Sequence, residues 1–347
     1  MTLWFQLGKL VTVLLLLVLL HGDVQADRSQ HSPGAAKFVS IVLGAAGGLR
    51  EDNLTAYLLA PFGDARFIAL DAGTLLAGIK IAKNLGSFDD IQVPPESSLS
   101  LEGRVLQEHI KAYAISHAHL DHISGLILNS TDDTPKSILG LDPTIDILRD
   151  HVFNWQVWPN FGNEGREPHL RKYTYVRLQL AQAYPVPGTA MTIEPFVLSH
   201  AQGYAATAFL IQAAGFYVLY CGDTGPDAVE PSTHLHALWT RIAPLIQAKR
   251  LRAIFLEVSF PSERPDHLLF GHLTPRWMRQ ELGRLAQIVN PATPTAALQG
   301  LTVVVTHIKP SLTTGSSPEE RIAHQLHELN DLGVHFVFAQ QGKRLAF

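Results

Sequence analysis

Between His117 and His122 the chain runs His117-Ala118-His119-Leu120-Asp121-His122 and offers three imidazoles and one carboxylate. Imidazole and carboxylate are borderline ligands that suit Zn²⁺, Mn²⁺ and Fe. Four such groups this close cannot all reach one ion. In an extended turn alternate residues point to one side, so His117 and His119 can share a cation. Asp121 and His122 face the other way, at the first turn of a helix, and suit a second. The chemistry that needs this pattern is two-metal hydrolysis, in which paired cations activate a water and neutralise the charge of the transition state.

The run sits where such chemistry can be positioned. The apolar, strand-like stretch Ala112–Ile115 precedes it, and the helix-like stretch Ile123–Leu128 follows. All four polar groups therefore fall at the C-terminal end of a strand, the edge at which ligands collect in layered α/β proteins. Three more candidate ligands lie in equivalent places. His200 follows the strand-like run Met191–Leu198. Asp223 follows Phe216–Tyr220, inside Cys221-Gly222-Asp223-Thr224-Gly225. His307 ends Leu301–Thr306. One such coincidence is easily met by chance, three in series are not.

The whole set resembles the metallo-β-lactamase superfamily: HxHxDH, a later His, a later Asp and a last His, with Leu70-Asp71-Ala72-Gly73-Thr74 similar to that superfamily's first Asp motif. The extended run from His117 to Ser130 is more specific and resembles the signature of the class II 3′,5′-cyclic-nucleotide phosphodiesterases. Gly47-Gly48, the stretch 52–59, Asn154–Phe161 and Gly271-His272-Leu273-Thr274-Pro275 fit the same family. The resemblance implies metal-dependent hydrolysis of 3′,5′-cyclic nucleotides, cAMP with cGMP as a further candidate, to 5′-nucleotides by a bridging hydroxide. The competing expectation is another hydrolase of the same fold, a lactonase, thioesterase or phosphoesterase. A non-catalytic binding protein is disfavoured by the intact ligand set.

Carried over position by position, the resemblance implies two divalent ions, Zn²⁺ first and Mn²⁺ or Fe as alternatives. His117, His119 and His200 would hold one, Asp121, His122 and His307 the other, and Asp223 would bridge them. Two divalent ions, two carboxylates and one hydroxide sum to about +1, which attracts a phosphodiester monoanion. Asp71 is implied as a group that organises the ligands. Glu257 and His272 resemble the Glu and His pair of the transfer-RNA 3′-end endonucleases. His272 would then donate a proton to the leaving 3′-oxygen or contact phosphate, oriented by Glu257, whose charge would raise its pKa. Trp155, Trp158 and Asn160 are the expected substrate contacts, with a loop that packs its own aromatics as the alternative.

Composition sets the limits. The 347 residues carry 27 basic and 31 acidic side chains, a formal net charge of −4. A mildly acidic chain without a basic block argues against a nucleic-acid polymer as partner. The single cysteine, Cys221, excludes an intrachain disulfide and reads as a small buried apolar residue. Residues 1–26 read as a secretory signal: Lys9, an apolar core Leu10–Leu20 and then Val24-Gln25-Ala26, with small residues suited to cleavage before Asp27. That core is short for a membrane span, so the expectation is an exported protein, periplasmic or secreted, with no stable membrane insertion after cleavage.

Residues 27–347 are expected to form one metallo-hydrolase domain. Strands are predicted over Phe38–Ala45, Thr55–Ala60 and Arg66–Leu70, with helices over Leu75–Leu85, Leu101–Ile110 and Asp142–Asp150. Trp155–His169 reads as a long loop. Strands over Tyr173–Leu180, Met191–Leu198, Thr207–Ala213 and Phe216–Tyr220 are assigned to a second sheet. Helices follow over Ser232–Gln247, over Pro275–Ile288 with Thr274 as N-cap, and from a Ser317/Glu320 capping box to about Leu329. Short strands are expected at Ala253–Leu256 and Val303–Val305, and Val334–Phe338 as the last. The architecture these imply is an αββα sandwich: two packed mixed sheets with helices on both outer faces.

Overall fold

A computed structural model describes residues 36–201 and 203–347, and the expected signal segment lies outside them. Strands β1 (Phe38–Gly44), β2 (Ala56–Pro61), β3 (Phe67–Leu70), β4 (Ile110–Ala114), β5 (Lys136–Gly140) and β6 (Tyr173–Arg177) build the first sheet. The second contains β7 (Tyr184–Pro185), β8 (Thr192–Ser199), β9 (Ala205–Ala213), β10 (Phe216–Tyr220), β11 (Leu251–Glu257), β12 (Thr302–Thr306) and β13 (His335–Phe338). The chain then returns to the first sheet as β14 (Arg344–Ala346), antiparallel to β1. The sheet orders are β14-β1-β2-β3-β4-β5-β6 and β13-β12-β11-β10-β9-β8-β7.

Helices α1 (Leu76–Asn84), α2 (Leu101–Arg104), α3 (Leu120–Asn129) and α4 (Asp142–Ile147) accompany the first sheet. Helices α5 (His234–Gln247), α6 (Pro275–Val289), α7 (Pro294–Ala297) and α8 (Pro318–Glu328) accompany the second. Strand alternation sorts the apolar residues into three layers. On β1, Val39, Ile41 and Leu43 pack outward with Ile79, Ile123 and Ile145 of the helices. Phe38 and Val42 pack inward with Phe209, Val218 and Phe255 of the other sheet. A third layer joins the far face of the second sheet to Trp239, Met278 and Leu326. These layers form the αββα sandwich. No helix among the described residues is long and apolar enough to cross a membrane.

Strand direction decides where the chemistry goes. β3, β4, β5 and β6 run parallel. So do β10, β11, β12 and β13. Two antiparallel steps, β8 to β9 and β9 to β10, give β8 that same direction. The residues that follow β3, β4, β8, β10 and β12 therefore emerge at strand C-terminal ends, and Glu257 closes β11 there.

Four sequence expectations change. Tyr173–Arg177 belongs to the first sheet, where it pairs with β5. Period-2 alternation reports which face is buried, not which neighbour a strand takes. The last strand is β14, three residues that become a strand only by pairing with β1. β5 carries no sequence signal because it opens on Lys136, a cation buried here against Asp133 and Thr134. The predicted helix Leu101–Ile110 turns into a π-type turn at Val105–His109.

Phe255 lies between the sheets, fully buried, with its ring 5.3 Å from Tyr57 and 5.8 Å from Phe347. Phe255→Ala is expected to destabilise the protein by about 3–5 kcal/mol. Denaturant unfolding checks this, and a loss well under 1 kcal/mol would contradict the inter-sheet core.

Candidate metal centre

Asp71 leaves β3 with φ 55°, a left-handed conformation that is uncommon outside glycine. Its backbone N–H donates to the Ala114 carbonyl at 2.9 Å, which locks the turn beside the end of β4. The buried carboxylate then accepts from four donors. Ser116 N donates to Oδ1 at 2.7 Å, while Ser116 Oγ at 2.7 Å, His122 Nδ1 at 2.8 Å and the Tyr220 hydroxyl donate to Oδ2.

These bonds fix ring tautomers. Ser116 gives its hydroxyl proton to Asp71, so at 3.0 Å it accepts from His117 Nδ1. His200 Nδ1 donates to the Gly271 carbonyl at 2.9 Å. Gly271 has φ 75°, and a Cβ there would lie 2.0 Å from Ala201 N, so only glycine brings this carbonyl so close. Ser259 Oγ donates to Glu257 at 2.7 Å and accepts from His307 Nδ1 at 3.0 Å. With Nδ1 protonated, His117, His200 and His307 each present a bare Nε2, and His122 turns its Nε2 to the same cluster, open to a cation once that nitrogen gives up its proton. His119 presents Nδ1 instead, 3.0 Å from His117 Nε2 and 3.2 Å from His200 Nε2.

The bare nitrogens converge in two groups. The ligand atoms of His117, His119 and His200 lie within 4.8 Å of one another, as do those of Asp121, His122 and His307. His122 Nε2 and His307 Nε2 face each other at 3.2 Å, and Asp121 Oδ2 lies 3.2 Å from His307 Nε2. Asp223 Oδ2 stands between the groups, 3.2 Å from His307 Nε2, 3.3 Å from His122 Nε2 and 3.8 Å from His117 Nε2. The other Asp223 oxygen, Oδ1, is buried with no hydrogen-bond donor.

Lone pairs facing lone pairs, beside a donorless buried carboxylate oxygen, call for a cation. Ligands about 2.0–2.1 Å from one tetrahedral ion sit roughly 3.3 Å apart, close to the spacings here. The donor set therefore fits divalent metal. Beside it, His272 Nδ1 donates to Glu257 Oε1 at 2.7 Å. Glu257 also accepts from the backbone N–H groups of Thr224, Ser259 and Leu273.

Over residues 35–342 the sequence matches the family model of the class II cAMP phosphodiesterases. The chain belongs to that family. A 3′,5′-cyclic-nucleotide phosphodiesterase of Aliivibrio fischeri is 42% identical over 316 residues, covering 91% of this chain and 94% of its own. The crystal structure of unliganded yeast PDE1 has a TM-score of 0.75 at 27% identity, covering 90% of this chain and 100% of that one. The metallo-β-lactamase fold protein YhfI of Bacillus subtilis, at TM-score 0.54 and 16% identity over 89% of this chain and 99% of its own, shares the fold. The αββα sandwich is thus that of the metallo-β-lactamase fold.

Charge in the cluster follows from burial and neighbours. Burial, then the surrounding imidazoles, pushes His117 well below its usual range. Burial, then His200, pushes His119 down to about 4. Burial also lowers His200 and His272. The Glu257 partner therefore does not lift His272 as expected from the sequence: burial outweighs it. Burial works against ionising Asp121, but His122 and His307 override it and hold that carboxyl well below the carboxylate range. Burial likewise opposes a charged His122, yet Asp223, Asp71 and Asp121 raise it. Burial, then the Asp223 carboxylate, pushes Glu257 up to about 7.

The three expected substrate contacts each have a hydrogen-bond partner of their own. Asn160 is fully buried, and its amide is occupied within its own loop by the Glu164 and Arg166 carbonyls and the Gly162 N–H. Trp158 donates to Ser130 Oγ at 2.9 Å. Ser130 closes α3 at the end opposite Asp121, about 13 Å along the helix. The Trp155 indole donates to the Pro168 carbonyl at 2.9 Å. Trp158 and Phe161 pack against the helical face of the first sheet, and the polar groups of Trp155, Trp158 and Asn160 are engaged within the protein. Cys221 is buried in the core of the second sheet.

Sequence reasoning did not single out Ser116, Ser259 or Tyr220, which orient the ligands, or Tyr204, whose ring stacks on His119 at 4.6 Å. Ser116 and Ser259 each stand beside a named group, His117 and Glu257. A hydroxyl adjacent to a ligand motif was the available signal.

Two outcomes follow. Asp71→Asn is expected to weaken divalent-cation binding roughly 10- to 100-fold, because both triads lose an oriented imidazole. Titration of the chelated protein with Zn²⁺ checks it, and unchanged affinity would contradict the Asp71 frame. The second concerns pH. Imidazoles held low in the folded state stay neutral while unfolded ones protonate below about 6.5. Their stabilisation is present above that pH and is lost as pH falls toward about 4, the value for His119. His122 and Glu257, both raised, offset part of it. Chelated protein should therefore show a falling Tm between pH 7 and 5, and a flat or rising Tm would contradict the neutral cluster.

Proposed function

We propose that this chain hydrolyses 3′,5′-cyclic nucleotides to 5′-nucleotides, using divalent cations held by the seven converging side chains. The observation that carries this reading is the buried Asp223 carboxylate, its Oδ1 without a donor, between two triads of potential ligand atoms, in a chain of the class II phosphodiesterase family. His117 Nε2, His119 Nδ1 and His200 Nε2 would hold one ion, and Asp121, His122 Nε2 and His307 Nε2 the second, with Asp223 shared. Two Zn²⁺ are the first choice for this nitrogen-rich donor set, with Mn²⁺ or Fe as alternatives. When bound, such ions lower the pKa of an attacking water and neutralise phosphoryl charge.

The chain's own residues supply the rest. Glu257 pins His272 Nδ1, so Nε2 is the atom of that ring able to hold or move a proton. In the proposed reaction, water oxygen bonds to phosphorus, the P–O3′ bond breaks, and His272 Nε2 passes a proton to O3′. Because burial lowers His272, any proton it takes up is readily given away again. Asp71 and Ser259 hold the ligating rings still through the reaction. The leader read over residues 1–26 supports export to the periplasm or beyond.

The test is product analysis of 3′,5′-cyclic AMP with and without a chelator. Chelator-sensitive release of 5′-AMP is expected. Release of 3′-AMP would overturn the role of His272, and no turnover of cyclic AMP or cyclic GMP by metal-replete protein would overturn the activity.

A further inference from the structure

Beyond the ligand set, a lysine and an arginine gather round the Phe260 ring beside His272. The Lys309 backbone N–H donates to the Ser259 carbonyl at 3.1 Å, so the residue that orients His307 also anchors Lys309. Lys309 Nζ lies 6.0 Å from the centre of the Phe260 ring, and the Arg264 guanidinium lies 4.6 Å from it. Phe260 meets the His272 imidazole edge-on, with centres 5.8 Å apart. Lys309, Phe260 and Arg264 are all half-buried.

The two cations have no carboxylate partner among the described residues. The acidic side chains on the same loop are taken elsewhere: Glu263 pairs with Arg321 at 3.0 Å, and Asp266 with Arg276 at 2.6 Å. Cations held beside an aromatic ring, unneutralised and next to a ring that faces the cluster, form a ready receptor for an anion. A lysine presents a compact, strongly charged ammonium on a flexible stem, suited to phosphate as a point charge.

We infer that Lys309, backed by Arg264 beside the same Phe260 ring, is a phosphate-binding group of this enzyme that engages the phosphoryl oxygens on the His272 side of the centre. The inference rests on the proposed phosphodiesterase reading and adds a binding residue to it. Charge balance gives it a place in the reaction. The cyclic diester carries one negative charge. Attack of water breaks P–O3′, one water proton goes to O3′, and the other leaves the new monoester, which is largely dianionic at pH 7. A cation outside the ligand set meets the second charge as it appears.

The experiment is calorimetric binding of 5′-AMP and of inorganic phosphate to metal-loaded protein, with Lys309→Gln, Lys309→Arg and Arg264→Gln compared at equal metal content and Tm. Lys309→Gln should weaken both ligands roughly 10- to 100-fold, the range of one charge-assisted contact. Lys309→Arg should restore most of that affinity, and Arg264→Gln should cost less. In turnover, Lys309→Gln should lower kcat/KM for 3′,5′-cyclic AMP and weaken inhibition by 5′-AMP. Wild-type affinity for both ligands in Lys309→Gln would overturn the inference while leaving the phosphodiesterase reading intact. Loss of 5′-AMP with phosphate unaffected would also overturn it, since the contact would then be to base or ribose. Phosphate weakened by Lys309→Gln in a protein that hydrolyses no cyclic nucleotide would keep the anion site and discard the substrate.

Discussion

The buried Asp71 carboxylate is the interaction on which the rest of the site depends. It sits between the two sheets, accepts from β10 through Tyr220, and orients one imidazole of each triad, His122 directly and His117 through Ser116. A carboxylate in such a place is tolerable only with its lone pairs filled, and its four donors fill them. The same bonds leave the Nε2 atoms bare and mutually opposed. Those nitrogens are tolerable in turn only with a cation between them. Burial, tautomer and metal demand are thus one linked constraint.

A matching frame stands on the other side. Glu257 accepts from Ser259, which accepts from His307, and Glu257 also holds His272. His307 has φ 56°, the same left-handed conformation as Asp71, and its N–H donates to the Ala45 carbonyl at 2.9 Å. A Cβ on Gly47 would lie 2.3 Å from the His307 ring, so the close passage of that loop requires glycine. Strained backbone at two facing site residues is what a rigid ligand set requires when the surrounding sandwich over-determines it. The strands' direction within each sheet is therefore the cause of the site: strand C-terminal ends of the first sheet supply Asp71 and His117, those of the second supply His200, Asp223, Glu257 and His307, and packing holds them there.

Much of this was legible in the sequence. The HxHxDH run, the later His, Asp and His at strand ends, and the Glu257/His272 pair all come together as their spacing implied. The αββα layering followed from strand periodicity. What escaped was set by partners rather than by pattern. Sheet membership of Tyr173–Arg177 and the existence of β14 depend on which neighbour a strand finds. The aromatic loop at 155–161 carried residues suited to a nucleotide, yet Asn160 satisfies its own loop, a use no spacing announces. Ser116 and Ser259 carried only a weak signal because a serine beside a ligand is common, and only the proton count around its hydroxyl gives it a role.

The central claim is that two cations share Asp223 between the triads. Anomalous diffraction from crystals of the Zn²⁺-loaded protein tests it most directly. The account predicts two peaks, one among His117 Nε2, His119 Nδ1 and His200 Nε2, the other among Asp121, His122 Nε2 and His307 Nε2, both in contact with Asp223. A single fully occupied peak, or peaks that leave Asp223 Oδ1 uncoordinated, would contradict it.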